Sequence, residues 1–295
     1  MAVAGEYGWR KYVWVLIFLG PGLVGLILFT LSPILASLGL TLFQWDLITP
    51  PVFVGLRNFQ DIFASSDFWQ ALGHTLSFVV GYIPLVMVFA LAIALLLNQR
   101  VRGLALFRTA FFIPVVSSWV VISLLGKWIF NPRFGLVNYT LGLFGIQGPT
   151  WLFSPQWAMP AIILTSVWKD VGFVMVMFLA GLQAIPADYR EASSLDGASD
   201  WQHFRTITLP LLSPTTFFAL IISLIASFQV FDQVWIMSEN ATRAATSVLV
   251  QQIVQNAFSY GRMGTASALS WVLFVFIFLI TLVQLRLQRT WVAYE

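Results

Sequence analysis

The chain has 295 residues, of which 59% are apolar and 9% charged, with a formal net charge of +3 at pH 7. Soluble proteins carry about 25% charged and 45–50% apolar residues. Fifteen Lys and Arg and twelve Asp and Glu are too few to cover a water-facing globule of this length. A soluble enzyme, a nucleic-acid binder and a disordered chain are thereby excluded, which leaves an all-α polytopic membrane protein. The absence of cysteine also rules out disulfides, thiolate metal sites and cysteine nucleophiles.

Long apolar runs, separated by polar and Pro/Gly-rich breaks, predict six transmembrane helices near 12–35, 71–97, 106–130, 157–182, 213–237 and 267–287. Each meets the requirement of roughly 20 residues per span. Residues 1–295 then read as a single transmembrane domain with no large soluble one beside it. Arg10 and Lys11 precede the first run as they would in a signal peptide. That run is too long for a signal-peptide core, and no small-residue cleavage site closes it.

Residues 44–70 follow span one and carry Trp45, Asp46, Pro50, Pro51, Asp61 and Asp67. Residues 131–156 carry Asn131, Pro132, Gly148, Pro149, Trp151 and Pro155, and residues 238–265 are polar. Segments 57–70 and 248–260 read as short helices at the same face. Trp69, Trp151, Trp157 and Trp271 fall near span ends, as an interfacial belt places them. Arg10, Lys11, Arg100, Arg102, Arg108, Arg190, Arg205, Arg286 and Arg289 lie on the side of the termini, and Arg57, Arg133, Arg243 and Arg262 opposite. Nine against four predicts both termini inside. Lys127 and Lys169 fall within or at the ends of spans. The two sets of three spans show no internal repeat, unlike many secondary transporters.

Polar groups inside spans are costly and tend to face a cavity. Span four carries Ser166, Lys169, Asp170 and Phe173, and span five carries Ser227, Gln229, Asp232 and Gln233. Ser166, Asp170 and Phe173 share a helical face, as do Gln229 and Asp232 or Gln233. These faces predict a pathway offering hydrogen bonds and an aromatic platform, suited to a hydroxyl-rich ligand. Ser227 with Val230 is the alternative register in span five. Lys169 and Asp170 point about 100° apart on a helix, so each has a second reading as a partner for a neighbouring subunit, or as a snorkelling lysine. His74 and His203 are isolated and read as structural rather than metal ligands. No nucleophile–base or paired-Asp spacing supports an intramembrane enzyme.

The loop at 183–212 differs from the other loops on its side, which are short. Pro186 fits the first turn of a helix over 187–195, with Asp188 and Glu191 at its positive end. Gly197 permits the left-handed turn that ends it. Ser199 or Asp200 caps a second short helix over 201–207, and Pro210 and Pro214 bracket the start of span five. Leu195, Ala198, Trp201 and Phe204 lie among charges, a surface suited to a groove on a soluble partner. The plainer reading is that Glu191 only favours its own helix N-terminus, worth about 0.3–1 kcal/mol.

Here the chain resembles a family. Glu191-Ala192-Ser193, then Gly197, then Ile207-Thr208-Leu209-Pro210, match the EAA signature of permease subunits of binding-protein-dependent ABC importers. Ala180-Gly-Leu-Gln-Ala-Ile-Pro186, Phe43-Gln-Trp-Asp-Leu47 and Phe53-Val-Gly-Leu-Arg-Asn-Phe59 look like its sugar-importer branch, of the maltose and glycerol-phosphate type. Ser193 departs from the usual second Ala. Met237-Ser-Glu-Asn-Ala241 stands where many relatives carry a Thr-x-Gly-Gly-Pro turn.

The resemblance implies a six-helix type I importer permease in a bacterial or archaeal cytoplasmic membrane. It implies a second, homologous permease, an ATPase dimer and an extracytoplasmic binding protein as partners, with membrane lipid around them and no nucleic acid. It also implies that Glu191, Ala192, Ser193, Asp196, Gly197 and Ala198 couple the chain to the ATPase, and that spans four and five touch the cargo. The chain has no G-x-x-x-x-G-K-[ST] loop, so ATP and magnesium belong to the partner and this chain binds no cofactor. The expected cargo is a sugar, glycoside or polyol. Two other classes stay open: a self-sufficient ion- or proton-coupled carrier using Asp170 or Asp232, and a non-transporting scaffold.

Overall fold

The computed structural model describes residues 9–99 and 103–291. Arg100 and Arg102, and the side chains of Arg10, Lys11 and Arg289, lie outside the described residues. The described residues fall into two units, Met1–Ala64 with Ile253–Trp271, and Ser65–Gln252 with Val272–Glu295.

In the first unit, α1 (Trp9–Leu26) runs through a π-helical turn (Ile27–Leu31) into α2 (Ser32–Leu40). Pro33 follows that π-helical turn directly, and the helix continues through it. A two-stranded ribbon, β1 (Phe43–Gln44) and β2 (Val52–Phe53), and the short helix α3 (Arg57–Ala64) follow. Asn58, on α3, is buried and staples the unit. Its Nδ2 donates to the carbonyls of Thr41 at 2.8 Å and Phe43 at 3.0 Å, and its Oδ1 accepts from Thr265 Oγ1 at 3.3 Å. Asp46 closes the ribbon's turn by accepting from Thr49 N at 2.7 Å, Ile48 N at 3.0 Å and the Thr49 hydroxyl at 2.9 Å. Those donors hold its carboxyl below the usual carboxylate range.

The second unit is built around one helix. Helix α4 (Ser66–Leu97) buries Phe78, Tyr82, Val86, Ala90 and Ala94, a stripe at four-residue spacing. Helices α5 (Leu104–Val116) and α6 (Trp119–Ile129) meet at 101°, and α7 (Leu136–Leu143) and a 3₁₀ turn (Trp151–Phe153) lead into α8 (Pro155–Ala184). Helix α8 is 67% buried along its apolar window, against 28% for α4. It packs on α4, α5, α6 and α12, so it is the core of this unit and apolar on most sides. Small residues allow the closest approaches: a Cβ at Gly172 would overlap the carbonyl oxygen of Phe111 on α5, and one at Gly181 would crowd Thr215 on α12.

After α8 come α9 (Asp188–Leu195), α10 (Asp200–His203), a π-helical turn (Phe204–Thr208) and α11 (Leu209–Leu211). Then follow α12 (Ser213–Phe228), α13 (Asp232–Met237), α14 (Arg243–Thr246), α15 (Leu249–Val254) and a π-helical turn (Gln255–Ser259), with α16 (Met263–Trp291) closing the chain.

Among the described residues, four helices are long and apolar enough to cross a membrane, and up to six spans result when each of two bent pairs counts as one: α5 with α6 at 101°, and the Asp200–Leu211 stretch with α12 at 63°. The all-α, six-helix expectation holds, with two spans built differently. Span three is not a continuous helix over 106–130: Ser117 and Ser118 are extended, and the Ser118 hydroxyl accepts from Val121 N at 3.3 Å to start α6. Span five ends as a regular helix at Phe228, with Gln229 at φ −94° and Phe231 at φ −147°, before α13 resumes. The short helix expected over 57–70 is α3 only as far as Ala64, residues 66–70 belonging to α4, and that over 248–260 is α15 with its following turn.

Replacing Gly172 by Val is expected to force α5 from α8 and to destabilise the protein by about 1–3 kcal/mol, the usual cost of overpacking. Thermal unfolding of the detergent-purified protein checks it; an unchanged midpoint refutes the close packing.

Candidate functional site

Two structural breaks meet at one cavity. It has a volume of about 210 Å³ and lies among α4, α6, α8, α12 and α13, all in the second unit. Six of the eight sequence-predicted pathway residues line it: Asp170, Phe173, Ser227, Gln229, Asp232 and Gln233. Val230, the alternative contact, lines it too.

The reason for this convergence differs from the expected one. Gln229 does not share a helical face with Asp232 and Gln233, because the helix stops between them. The irregular segment 229–231 turns both sets into the same space. Irregular backbone inside a span is tolerated where it lines a cavity.

Ser166 and Lys169 are not among the lining residues. Ser166 is fully buried; its hydroxyl donates to Ile162 O at 2.8 Å and accepts from Gln233 Nε2 at 3.4 Å, orienting a wall residue from behind. Lys169 is buried, its ammonium donating to Val115 O at 3.0 Å and lying 4.6 Å from the Trp119 ring centroid. The reading of Lys169 as a pathway or snorkelling residue is corrected accordingly: its charge is spent inside the protein.

Sequence reasoning missed the aromatic wall. Tyr82 donates from Oη to Asp170 Oδ2 at 2.9 Å and stacks on Phe78 at 5.4 Å between centroids. Both line the cavity, as do Trp119 and Phe231. The usable signals were Tyr82, a hydroxyl in the middle of an apolar run, and Pro114 before the Ser117-Ser118 pair, a helix-kinking combination.

A half-buried ion pair joins the second halves of the two broken spans. Lys127 Nζ of α6 lies 2.7 Å from Glu239 Oε1, just beyond α13, and α6 packs along α13. Glu239 belongs to the segment that departs from the Thr-x-Gly-Gly-Pro turn. Its loop is also tied by Ser238 to Thr246 at 2.6 Å and by Thr242 to Leu152 O at 2.8 Å. The residues in place of that turn thus form a cross-linked loop of their own.

The 183–212 loop has the expected helix–turn–helix form. Helix α9 ends at Gly197 with φ +76°, the Gly197 and Ala198 N–H groups returning to Ser194 O and Ser193 O at 3.2 and 3.0 Å. Ser199 begins α10 through a capping box with Gln202. The second helix is longer than the expected 201–207, continuing through the π-helical turn to Leu211. Ser193 and His203 join the two helices at 2.8 Å, and Ser193 also bonds Arg190 O at 2.9 Å. Glu191, Ala192, Asp196 and Gly197 are exposed, and Leu195 and Trp201 stand 89% and 67% open. His74 meets Ser247 O at 3.0 Å, and no cluster that could hold a metal occurs among the described residues.

An all-helical membrane subunit with a polar and aromatic cavity at two broken spans, and an exposed helix–turn–helix, is built as the membrane part of a transporter. The model of the family described as binding-protein-dependent transport system inner membrane component matches residues 62–292, and the chain belongs to that family. YesP of Bacillus subtilis (strain 168), a probable ABC transporter permease protein, is 39% identical over 283 residues, covering 94% of this chain and 91% of that protein. The trehalose/maltose transport system permease protein MalF of Thermococcus litoralis is 33% identical over 270 residues, 91% of each chain. A bacterial alginate ABC transporter, solved with an alginate pentasaccharide-bound periplasmic protein, has a chain of the same fold, with a TM-score of 0.85 at 24% identity over 97% of this chain and 98% of that one. The protein is a permease subunit, the non-enzymatic membrane component of its transporter.

Changing Lys127 to Met is expected to cost roughly 1 kcal/mol, the upper range for a partly exposed pair. The exchanged pair Lys127→Glu with Glu239→Lys is expected to recover most of that loss. Thermal melting of the parent and the two variants decides; a Lys127→Met variant as stable as the parent removes the ion pair from the account.

Proposed function

We propose that the chain carries a sugar, glycoside or polyol through the cavity at its two broken spans. The observation that carries this reading is the composition of that wall, where Asp170, Gln229, Asp232 and Gln233 offer hydrogen bonds beside the rings of Trp119 and Phe173. Hydroxyl-rich rings pair with such groups, and their apolar faces rest on aromatic rings. Supporting it, one relative is named for trehalose and maltose and the structural neighbour for alginate.

In this reading the chain lies in a bacterial or archaeal cytoplasmic membrane with both termini inside, paired with a second permease. The first span exposes its whole apolar window, a surface for lipid or for that partner. An extracytoplasmic binding protein delivers the cargo. An ATPase dimer, which holds the ATP and magnesium, grips the helix–turn–helix of residues 183–212, the elbow of the chain. Leu195 and Trp201 fill a groove on it, and Glu191, Ala192, Ser193, Asp196, Gly197 and Ala198 form the segment that enters. Closure of the ATPases draws the elbows together and rocks the spans between two states, a rigid-body switch biased by nucleotide.

Glu191→Lys and Gly197→Asp are expected to leave the chain in the membrane while ATPase co-purification falls and uptake is abolished. Normal values for both overturn the coupling assignment. Reconstituted proteoliposomes separate the classes: the importer requires ATP and its partner subunits, whereas uptake by this chain alone on an ion gradient establishes the carrier.

A further inference from the structure

The bend in span three leaves the last carbonyls of α5 without helical partners part-way along an apolar span, where each unpaired oxygen is costly. The Ser117 hydroxyl donates to Ile113 O at 2.9 Å, and Ser117 N donates to Pro114 O at 3.3 Å. Val115 O is taken by a group from another span, the Lys169 ammonium of α8 at 3.0 Å. A cation at this end also opposes the negative pole of α5. The same ammonium lies over the ring of Trp119, the first residue of α6, at 4.6 Å from the centroid. Lys169 therefore touches both sides of the break, the last turn of one helix and the first residue of the next. Trp119 in turn lines the cavity.

We propose that Lys169 is a positioning residue, which caps the carbonyl end of α5 and fixes Trp119 as a wall of the passage without itself meeting the cargo. This rests on the cavity being the passage. The contacts explain why one residue supplies both parts: a neutral donor of the same length would satisfy Val115 O but not hold the indole face, and an apolar side chain would do neither. Trp119 then acts on selectivity, and Lys169 acts through it.

The sequence contains no cysteine, so spin labels can be placed on the otherwise natural subunit within its assembled transporter. Labels at Thr109→Cys on α5 and Leu124→Cys on α6 span the break, and pulsed electron resonance reads their separation. With Lys169 present a single narrow distance distribution is expected. Lys169→Met is expected to broaden it severalfold or to add a second distance, and Lys169→Arg to keep it narrow. An unchanged distribution in Lys169→Met overturns the proposal. If Lys169→Met does not assemble, Trp119→Leu decides: a broadened distribution supports the two-sided hold, and an unchanged one overturns it.

Uptake of maltose and trehalose in proteoliposomes holding the two permeases, the ATPases and the binding protein gives the second readout. Lys169→Met is expected to raise ATP hydrolysed per sugar moved by about tenfold, while the half-saturating concentration of loaded binding protein stays the same. Uptake and ATP hydrolysis that fall in proportion, in a Lys169→Met transporter that assembles normally, would overturn a specific positioning role. If the parent moves neither sugar, the carbohydrate reading loses support while the spin-label distances still decide the role of Lys169.

Discussion

Backbone N–H and C=O groups have no water to turn to inside a bilayer, and that constraint governs the second unit. Helices satisfy it automatically; a break in a helix does not. This chain breaks two spans, at Ser117–Ser118 and at Gln229–Phe231. The first break is mended by two serines and by Lys169. Both breaks open onto a space lined by carboxylates, amides and aromatic rings. The cavity and the irregular backbone are thus one feature, because the residues at the breaks, Trp119 and 229–233, supply much of its wall.

Packing makes those breaks tolerable. Helix α8 is surrounded, and it sends Asp170 and Phe173 to the cavity, Ser166 to Gln233, and Lys169 to the bend in span three. Gly172 and Gly181 let α5 and α12 approach until backbone and side chains touch. A rigid central helix with small contact residues holds its neighbours by shape, and its polar residues then act at defined positions rather than averaging over many.

The elements legible in sequence were those with local causes. Apolar length marked the spans. Pro186, Gly197 and Ser199 marked the elbow, since a missing N–H, a positive φ and a capping hydroxyl are properties of single residues. The Asn58 staple explains in physical terms why Asn follows Phe-Val-Gly-Leu-Arg. What stayed hidden has distant causes. Residues 228–232 contain neither Gly nor Pro, so the break in span five comes from packing around it. Tyr82 stands out in its apolar run only as a lone hydroxyl, and its partner, Asp170, lies 88 positions away. Lys169 was noticed as a costly charge, but its partners lie on another span, beyond the reach of periodicity.

Leu195 and Trp201 carry a consequence for how such a protein is made. A helix–turn–helix with two large greasy side chains open to water is adhesive until something covers it. Copies produced in excess of their companions would stick to one another or draw the attention of proteases. The cell therefore gains by synthesising this subunit in step with whatever covers that surface, which reports on whether the molecule has found its company.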